Sequence, residues 1–403
     1  MTSFPQPSSA LPAYLTGLAS WFVPLGILQV LFPWLVAVVL RMDAFAVGVA
    51  QMAIMAPSLL FMPLGGLAAD RGNLRRLLLR YHFLYALPPL VLALVLMGGG
   101  LSYPALIVYA LAVGSIGAFA VPTRDALLPS IAAGNLPRAV ALVTALQMAG
   151  QLLGIACASL ADRYGAVPLL LTQAGLVLAG SLAVWRLPAL PPRPPAKYEG
   201  FWRSIADGVV EAAKSDQIWP VLLINVAVGI FYVGPFVAVL PIAVRDAYGG
   251  GALELAYVNF AFWAATIVAA MALVGLTRTF TLRGRLIFAA VSGGAVVLGM
   301  LATLPPFWLF VVLIFVWGLG AGVTLTQGRT VVQIMAPASH RARLMSLFQL
   351  GIAGGGPIGA LTAGSICALW GVQAAMLLPA CGMMLVLVAI FARSRLWSMR
   401  TVE

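Results

Sequence analysis

The sequence predicts an all-α polytopic membrane protein, with twelve transmembrane helices in two pseudo-symmetric six-helix bundles. Three observations carry that expectation: a scarcity of charge, recurring apolar runs of membrane-spanning length, and an internal repeat. Of 403 residues, 62% are apolar and 8% charged, against about 25% charged in an ordinary soluble domain. So few charges cannot clothe a soluble surface, which excludes a cytosolic enzyme of this length. The net charge of +12 does not point to nucleic acid, because the basic residues lie between apolar runs rather than in one stripe.

About 20 apolar residues cross a bilayer as a helix. Runs of that kind fall near 19–40, 46–69, 77–98, 104–122, 139–161 and 166–187, then 218–242, 255–276, 286–304, 307–327, 344–368 and 372–392. The first is too long for a signal peptide, and no Lys or Arg precedes it, so it reads as a retained helix. The longest polar break opens with Leu187-Pro-Ala-Leu-Pro-Pro-Arg-Pro-Pro195, a stiff extended stretch. Arg203, Asp207, Glu211 and Lys214 follow at three- and four-residue spacing, the pattern of a short amphipathic surface helix. The plan is therefore residues 1–187 as one bundle, 188–217 as linker and 218–403 as the second bundle.

Alternate loops assigned to two sides divide the 23 basic residues unevenly: all but Arg41, Arg163 and Arg245 fall on the linker side. The positive-inside bias then places the linker and both termini in the cytoplasm of a multi-pass inner-membrane protein. An offset of 205 residues superposes Gly117 on Gly322, Arg124 on Arg329, Arg138 on Arg343, Leu142 on Leu347, Gly150 on Gly355 and Gly154 on Gly359. Separately, Pro33-Trp-Leu-Val-Ala resembles Pro235-Phe-Val-Ala-Val. Parallel six-helix repeats are the plan of transporters that alternate access around a midplane site. Gly150-Gln-Leu-Leu-Gly154 and Gly355-Gly-Pro-Ile-Gly359 are both GxxxG, a face that lets two backbones approach, either to pack or to slide.

The sharpest local signal is Gly66-Leu-Ala-Ala-Asp70-Arg71-Gly-Asn-Leu-Arg75-Arg76, joining spans two and three. With the twelve-span layout it resembles the loop motif of the major facilitator superfamily. Asn73 stands where the second glycine is usual, and asparagine tolerates a left-handed turn. The second copy, Thr277 to Arg285, keeps basic residues but has no acid. The resemblance implies a gate, in which Asp70 meets the positive N-terminus of helix eleven and Arg75 pairs with an acid at the end of helix four, where Asp125 stands. The plainer alternative is that Arg71, Arg75 and Arg76 only set topology.

Pro122-Thr-Arg-Asp-Ala-Leu-Leu-Pro129, Leu136-Pro-Arg-Ala-Val-Ala-Leu142 and Ala342-Arg-Leu-Met-Ser-Leu-Phe-Gln-Leu350 resemble the enterobactin-exporter-like branch, the transmembrane secretion effectors. That resemblance implies a secondary active transporter, not an enzyme, exporting a siderophore, drug or secondary metabolite by alternating access. A lipid such as a lysophospholipid as cargo, or a non-transporting sensor or scaffold, stays open.

Every charge can be placed in a loop or at a span end, so no span shows a carboxylate at mid-depth. Asp43 and Glu254 are the nearest proton-site candidates, and a solvated loop role is the simpler reading of each. Protons are therefore one candidate coupling ion and the substrate's own gradient the other. His82 and His340 read as cytoplasmic-edge residues. Cys157, Cys367 and Cys381 lie inside apolar runs and read as reduced thiols, with no metal-ligand spacing. There is no nucleotide-binding loop, no HExxH and no triad arrangement, so neither metal nor cofactor is expected. Neutral polar and aromatic groups remain: Gln147 with Gln151, Asn259 with Trp263, and Trp317 with Thr324 share helix faces. In the superfamily fold, helices one, four, seven and ten line the cavity, which makes Gln29, Tyr109, Asn225, Tyr232 and Trp317 the candidate substrate-lining residues. Bonding to a neighbouring helix is the alternative for each.

Overall fold

The computed structural model describes residues 10–132, 135–188, 201–276, 283–337, 340–394 and 396–397. The proline-rich linker stretch 189–200 and most of the second loop motif, 277–282, lie outside them. The first ten spans are α1 (Ala10–Val39), α2 (Ala44–Arg71), α3 (Leu74–Met97), α4 (Tyr103–Ile131), α5 (Leu136–Ala158), α6 (Ala166–Trp185), α7 (Ile218–Tyr248), α8 (Ala252–Leu276), α9 (Arg283–Leu301) and α10 (Phe307–Met335). A last helical run, Arg341–Arg393, breaks at Gly371 (φ 82°, ψ 173°) into α11 (341–370) and α12 (372–393). Eleven apolar helical runs among the described residues thus supply twelve spans.

Several helices run past the ends that the charges suggested. The α4 helix continues through Pro122 and Arg124 to Ile131, because Leu127, Leu128 and Ile131 bury one face of its last turns. Both first helices of the repeats widen into π-helical turns: Trp34–Val39 in α1, then Gly229–Val233 and Pro235–Val239 in α7. A proline opens or precedes the matching stretches, Pro33 and Pro235, and such local adjustments let prolines persist in membrane helices.

The chain forms two compact units. One contains the described residues of Met1–Leu40, Ala53–Lys197 and Gly251–Ala256, the other those of Arg41–Met52, Tyr198–Gly250 and Tyr257–Glu403. In the first, α1 lies directly on α5: a Cβ on Gly26 would sit 2.1 Å from the Gln151 carbonyl oxygen, and one on Gly154 would sit 2.1 Å from that of Val23. In the second, α7 lies on α11 at the repeat-equivalent place. There a Cβ on Gly229 would meet the Gly355 Cα at 2.8 Å, and one on Gly359 the Ile230 carbonyl oxygen at 2.4 Å. The two GxxxG faces are thus occupied by backbone contact, the arrangement that small residues permit where lipid gives helices no hydrophobic drive to associate. Gly114 against Ile54 in α2 and Gly318 against Phe262 in α8 repeat the device between α2 and α4 and between α8 and α10.

In the second unit the helix Phe201–Ala213 lies against α11, where a Cβ on Gly208 would sit 2.9 Å from Leu347 Cδ1. At its end Lys214 lies 2.8 Å from Glu211 and holds that carboxyl below the usual carboxylate range.

The connections alternate in character. Those leaving α1, α3, α5, α7, α9 and α11 each contain one left-handed residue: Arg41 (φ 49°), Gly99 (72°), Gly165 (76°), Gly249 (59°), Leu304 (50°) and Gly371 (82°). No described residue of the alternate set is left-handed. Glycine adopts this conformation freely, whereas Arg41 and Leu304 hold it against a steric cost.

Candidate functional site

The loop motif between α2 and α3 is built by a helix cap. Asn73 has extended backbone (φ −76°, ψ 106°), and its side chain accepts a hydrogen bond from the Arg76 N–H at 3.1 Å. The expected left-handed turn is not used here; asparagine serves through its side-chain oxygen at the helix start. Asn135 caps α5 the same way, accepting from Arg138 at 3.1 Å, so Asn-Leu-x-Arg is a cap signature used twice. Arg75 donates to the Trp185 carbonyl at the end of α6, where a cation complements the helix terminus. Asp70 and Arg71 are exposed, and among the described residues Asp70 has no hydrogen-bond or ion-pair partner. A Cβ on Gly66 would meet nothing within 4 Å, while one on Gly65 would lie 2.7 Å from the Ala118 carbonyl oxygen. The glycine that packs α2 on α4 is Gly65.

In the first unit, both polar groups read as cavity candidates bond across helices. Gln151 Nε2 donates to Gln29 Oε1 at 3.1 Å. The Tyr109 hydroxyl donates to Gln173 Oε1 at 3.2 Å, and Gln173 Nε2 donates to the Pro24 carbonyl at 3.3 Å. In the second unit, the Asn225 amide donates to the Phe348 carbonyl and the Tyr232 hydroxyl to the Val291 carbonyl. Trp317 sits at the centre of an aromatic cluster: Tyr232 at 5.6 Å, Phe262 at 5.8 Å and Phe236 at 6.0 Å between ring centroids. Trp263 extends it, 5.6 Å from Phe262. Among the described residues its indole Nε1, with under 1 Å² accessible, has no hydrogen-bond partner, although buried tryptophan N–H groups ordinarily find one.

The two carboxylates considered for proton binding cap helices. Asp43 Oδ1 accepts from Ala46 N–H at 2.8 Å at the start of α2, and Glu254 Oε2 from Gly251 N–H at 2.7 Å at the start of α8. His82 is buried. It lies eight positions into α3, about 12 Å at 1.5 Å per residue, and is 1% exposed. Its ring nitrogens lie 2.8 Å from the Leu78 carbonyl oxygen and 3.3 Å from that of Gly17, joining α3 to α1. A single histidine in a run free of acid carries no local sign of that depth.

Sequence reasoning also passed over Asp162. Its Oδ1 accepts from the Trp34 indole N–H at 3.0 Å and its Oδ2 from the Leu253 backbone N–H at 2.9 Å, so one carboxylate in the first unit gathers α1 and the opening turn of α8. Among the described residues no cluster could hold a metal ion.

A family model described as transmembrane secretion effector matches residues 17–403. No curated protein matches the chain. Among solved structures, the chain is similar to a point mutant of the nucleoside transporter NupG, at a TM-score of 0.80 and 13% identity, covering 96% of this chain and 100% of that one. An autoinhibited POT-family peptide transporter gives 0.77 and 14%, covering 98% of each chain. A bacterial homologue of the human lysosomal transporter Spinster, inward-facing and unoccupied, gives 0.70 and 15% over the whole of both. At such identities these structures establish the fold, with no bearing on what this chain carries.

Proposed function

The chain belongs to the transmembrane secretion effector family and is a transporter of the major facilitator fold, and from that premise we propose that it exports a small amphipathic or aromatic molecule by alternating access. The observation that carries the substrate class is the aromatic cluster of Tyr232, Phe236, Phe262, Trp263 and Trp317, with its unpaired indole donor. Rings of this kind favour flat apolar bodies over sugars or inorganic ions. Gln29, Tyr109, Asn225, Tyr232 and Trp317 are proposed to line the path.

The uneven basic residues support an inner-membrane orientation with linker and termini cytoplasmic. In that orientation Gly66, Asp70, Arg71, Arg75, Arg76 and Asp125 form the cytoplasmic gate, with Asp70 engaging a helix N-terminus when the gate shuts. Protons remain a candidate coupling ion through Asp43 or Glu254.

The test is efflux of fluorescent aromatic amphiphiles from cells with and without the protein, at matched membrane levels. Faster efflux with the protein is expected. Equal efflux together with phospholipid scrambling in vesicles would move the reading to lipid transport; neither activity would leave a scaffold.

A further inference from the structure

Arg124 stands in α4 seven residues before its last residue, Ile131, about 10 Å along the helix. It is half-buried. Its guanidinium lies over the face of Phe22, 5.1 Å from the ring centroid, and its backbone carbonyl accepts from the Tyr14 hydroxyl at 2.9 Å. Tyr14, Phe22 and Tyr85 are buried behind it, 1%, 1% and 4% exposed, and close one side of the site with rings. Asp125, the next residue, is exposed and within electrostatic reach. No hydrogen bond or ion pair joins it to the guanidinium.

Arginine carries five N–H donors and keeps its charge under all cellular conditions. Three other arginines in the helices are answered. Arg75 donates to the Trp185 carbonyl, Arg283 donates to Gln327 Oε1 at 3.1 Å, and Arg245 holds Asp246 and the Met42 carbonyl. Among the described residues the Arg124 guanidinium meets a ring and no hydrogen-bond acceptor. A topology signal needs only a charge at the membrane edge. It does not need a ring-backed, half-buried fork inside the helix with its donors unanswered. A planar guanidinium on an aromatic face is shaped for a planar oxyanion.

We infer that Arg124 is a recognition group for the anionic end of the substrate: a carboxylate or comparable planar oxyanion carried on an amphipathic body. This rests on the exporter reading and narrows it, since a wholly neutral cargo would leave the fork unanswered.

The experiment compares 2-naphthoate with 2-naphthamide, the same rings with and without the charge, binding to purified full-length protein in lipid nanodiscs. Native protein is expected to bind the naphthoate about tenfold or more tightly than the amide, the range of a charge-assisted hydrogen bond. Arg124→Gln is expected to abolish the preference while leaving naphthamide binding in place. Arg124→Lys keeps a point charge without the fork, and so keeps part of the preference should the glutamine variant fail to fold. Arg138→Gln, at an exposed arginine, should change nothing. Native protein that binds the two equally, or binds neither, overturns the inference, as does a preference that survives in Arg124→Gln. Efflux of neutral amphiphiles from cells with no naphthoate preference in nanodiscs would sink the anion site and leave the exporter reading standing. The preference without any cellular efflux would do the reverse.

Discussion

The carboxylate of Asp162 accepts a hydrogen bond from the indole of Trp34 at 3.0 Å, across 128 positions of sequence. The same carboxylate takes the backbone N–H of Leu253, so a single side chain answers two donors from distant parts of the chain.

Removing it leaves the part-buried Trp34 N–H without its acceptor, at a cost of up to about 1–3 kcal/mol, and returns the exposed Leu253 N–H to water. Asp162→Ala is therefore expected to lower the melting temperature in detergent, and Asp162→Asn, which keeps one oxygen, to lower it less. A double-mutant cycle with Trp34→Phe should return a coupling of about 0.5–3 kcal/mol. No coupling would mean the contact is not made in the folded protein.

Glycine substitutions should sort by what their Cβ would meet. Gly154→Ala and Gly359→Ala drive a methyl into backbone at 2.1 and 2.4 Å and should cost about 1–3 kcal/mol or more, since backbone cannot swing aside. Gly66→Ala meets nothing and should fold as the native protein does. Thermal unfolding read by tryptophan fluorescence distinguishes them, and equal losses at all three sites would refute the packing assignment.

At the loop motif, Asp70 has no partner among the described residues, so Asp70→Asn should leave the melting temperature unchanged. If the aspartate meets a helix N-terminus during the cycle, the substitution weakens that state by roughly 1–2 kcal/mol, and efflux falls at equal protein level. Undiminished efflux in Asp70→Asn retires the gate and leaves the arginines as topology signals.

For coupling, the caps at Asp43 and Glu254 separate two roles. Asp43→Asn keeps a cap oxygen and should preserve stability, whereas Asp43→Ala should lose about 1 kcal/mol. A proton carrier behaves differently: Asp43→Asn or Glu254→Gln would then abolish uphill efflux driven by a pH gradient in vesicles. Strong pH-driven efflux untouched by both substitutions excludes the two carboxylates as carriers.

The spans and their repeat were legible because apolar length and glycine position are properties of the sequence itself; Gly150, Gly154, Gly355 and Gly359 announced the α1–α5 and α7–α11 contacts. What a residue type permits was readable, but which permission is used was not. Asn73 was expected to bend the chain into a left-handed turn and instead lends its oxygen to the Arg76 N–H. His82 reads as an interfacial ring, and its burial comes from the Gly17 carbonyl that α1 brings to it. Asp162 looked like a solvated loop acid, since its partners, Trp34 and Leu253, are brought to it only by the fold. Gln29, Tyr109, Asn225 and Tyr232 could be placed on helices, but the partner each one bonds lies on another helix and has no trace in local spacing.

The six left-handed residues from Arg41 to Gly371 bear on how the protein can be handled. A chain that reverses within a single residue at Gly371 presents almost no loop there for an antibody, a protease or an inserted epitope to grip. The seven-residue connection at 159–165 and the five-residue ones at 98–102 and 302–306 give longer purchase, and reporter tags meant to show on which side of the membrane these connections lie belong there.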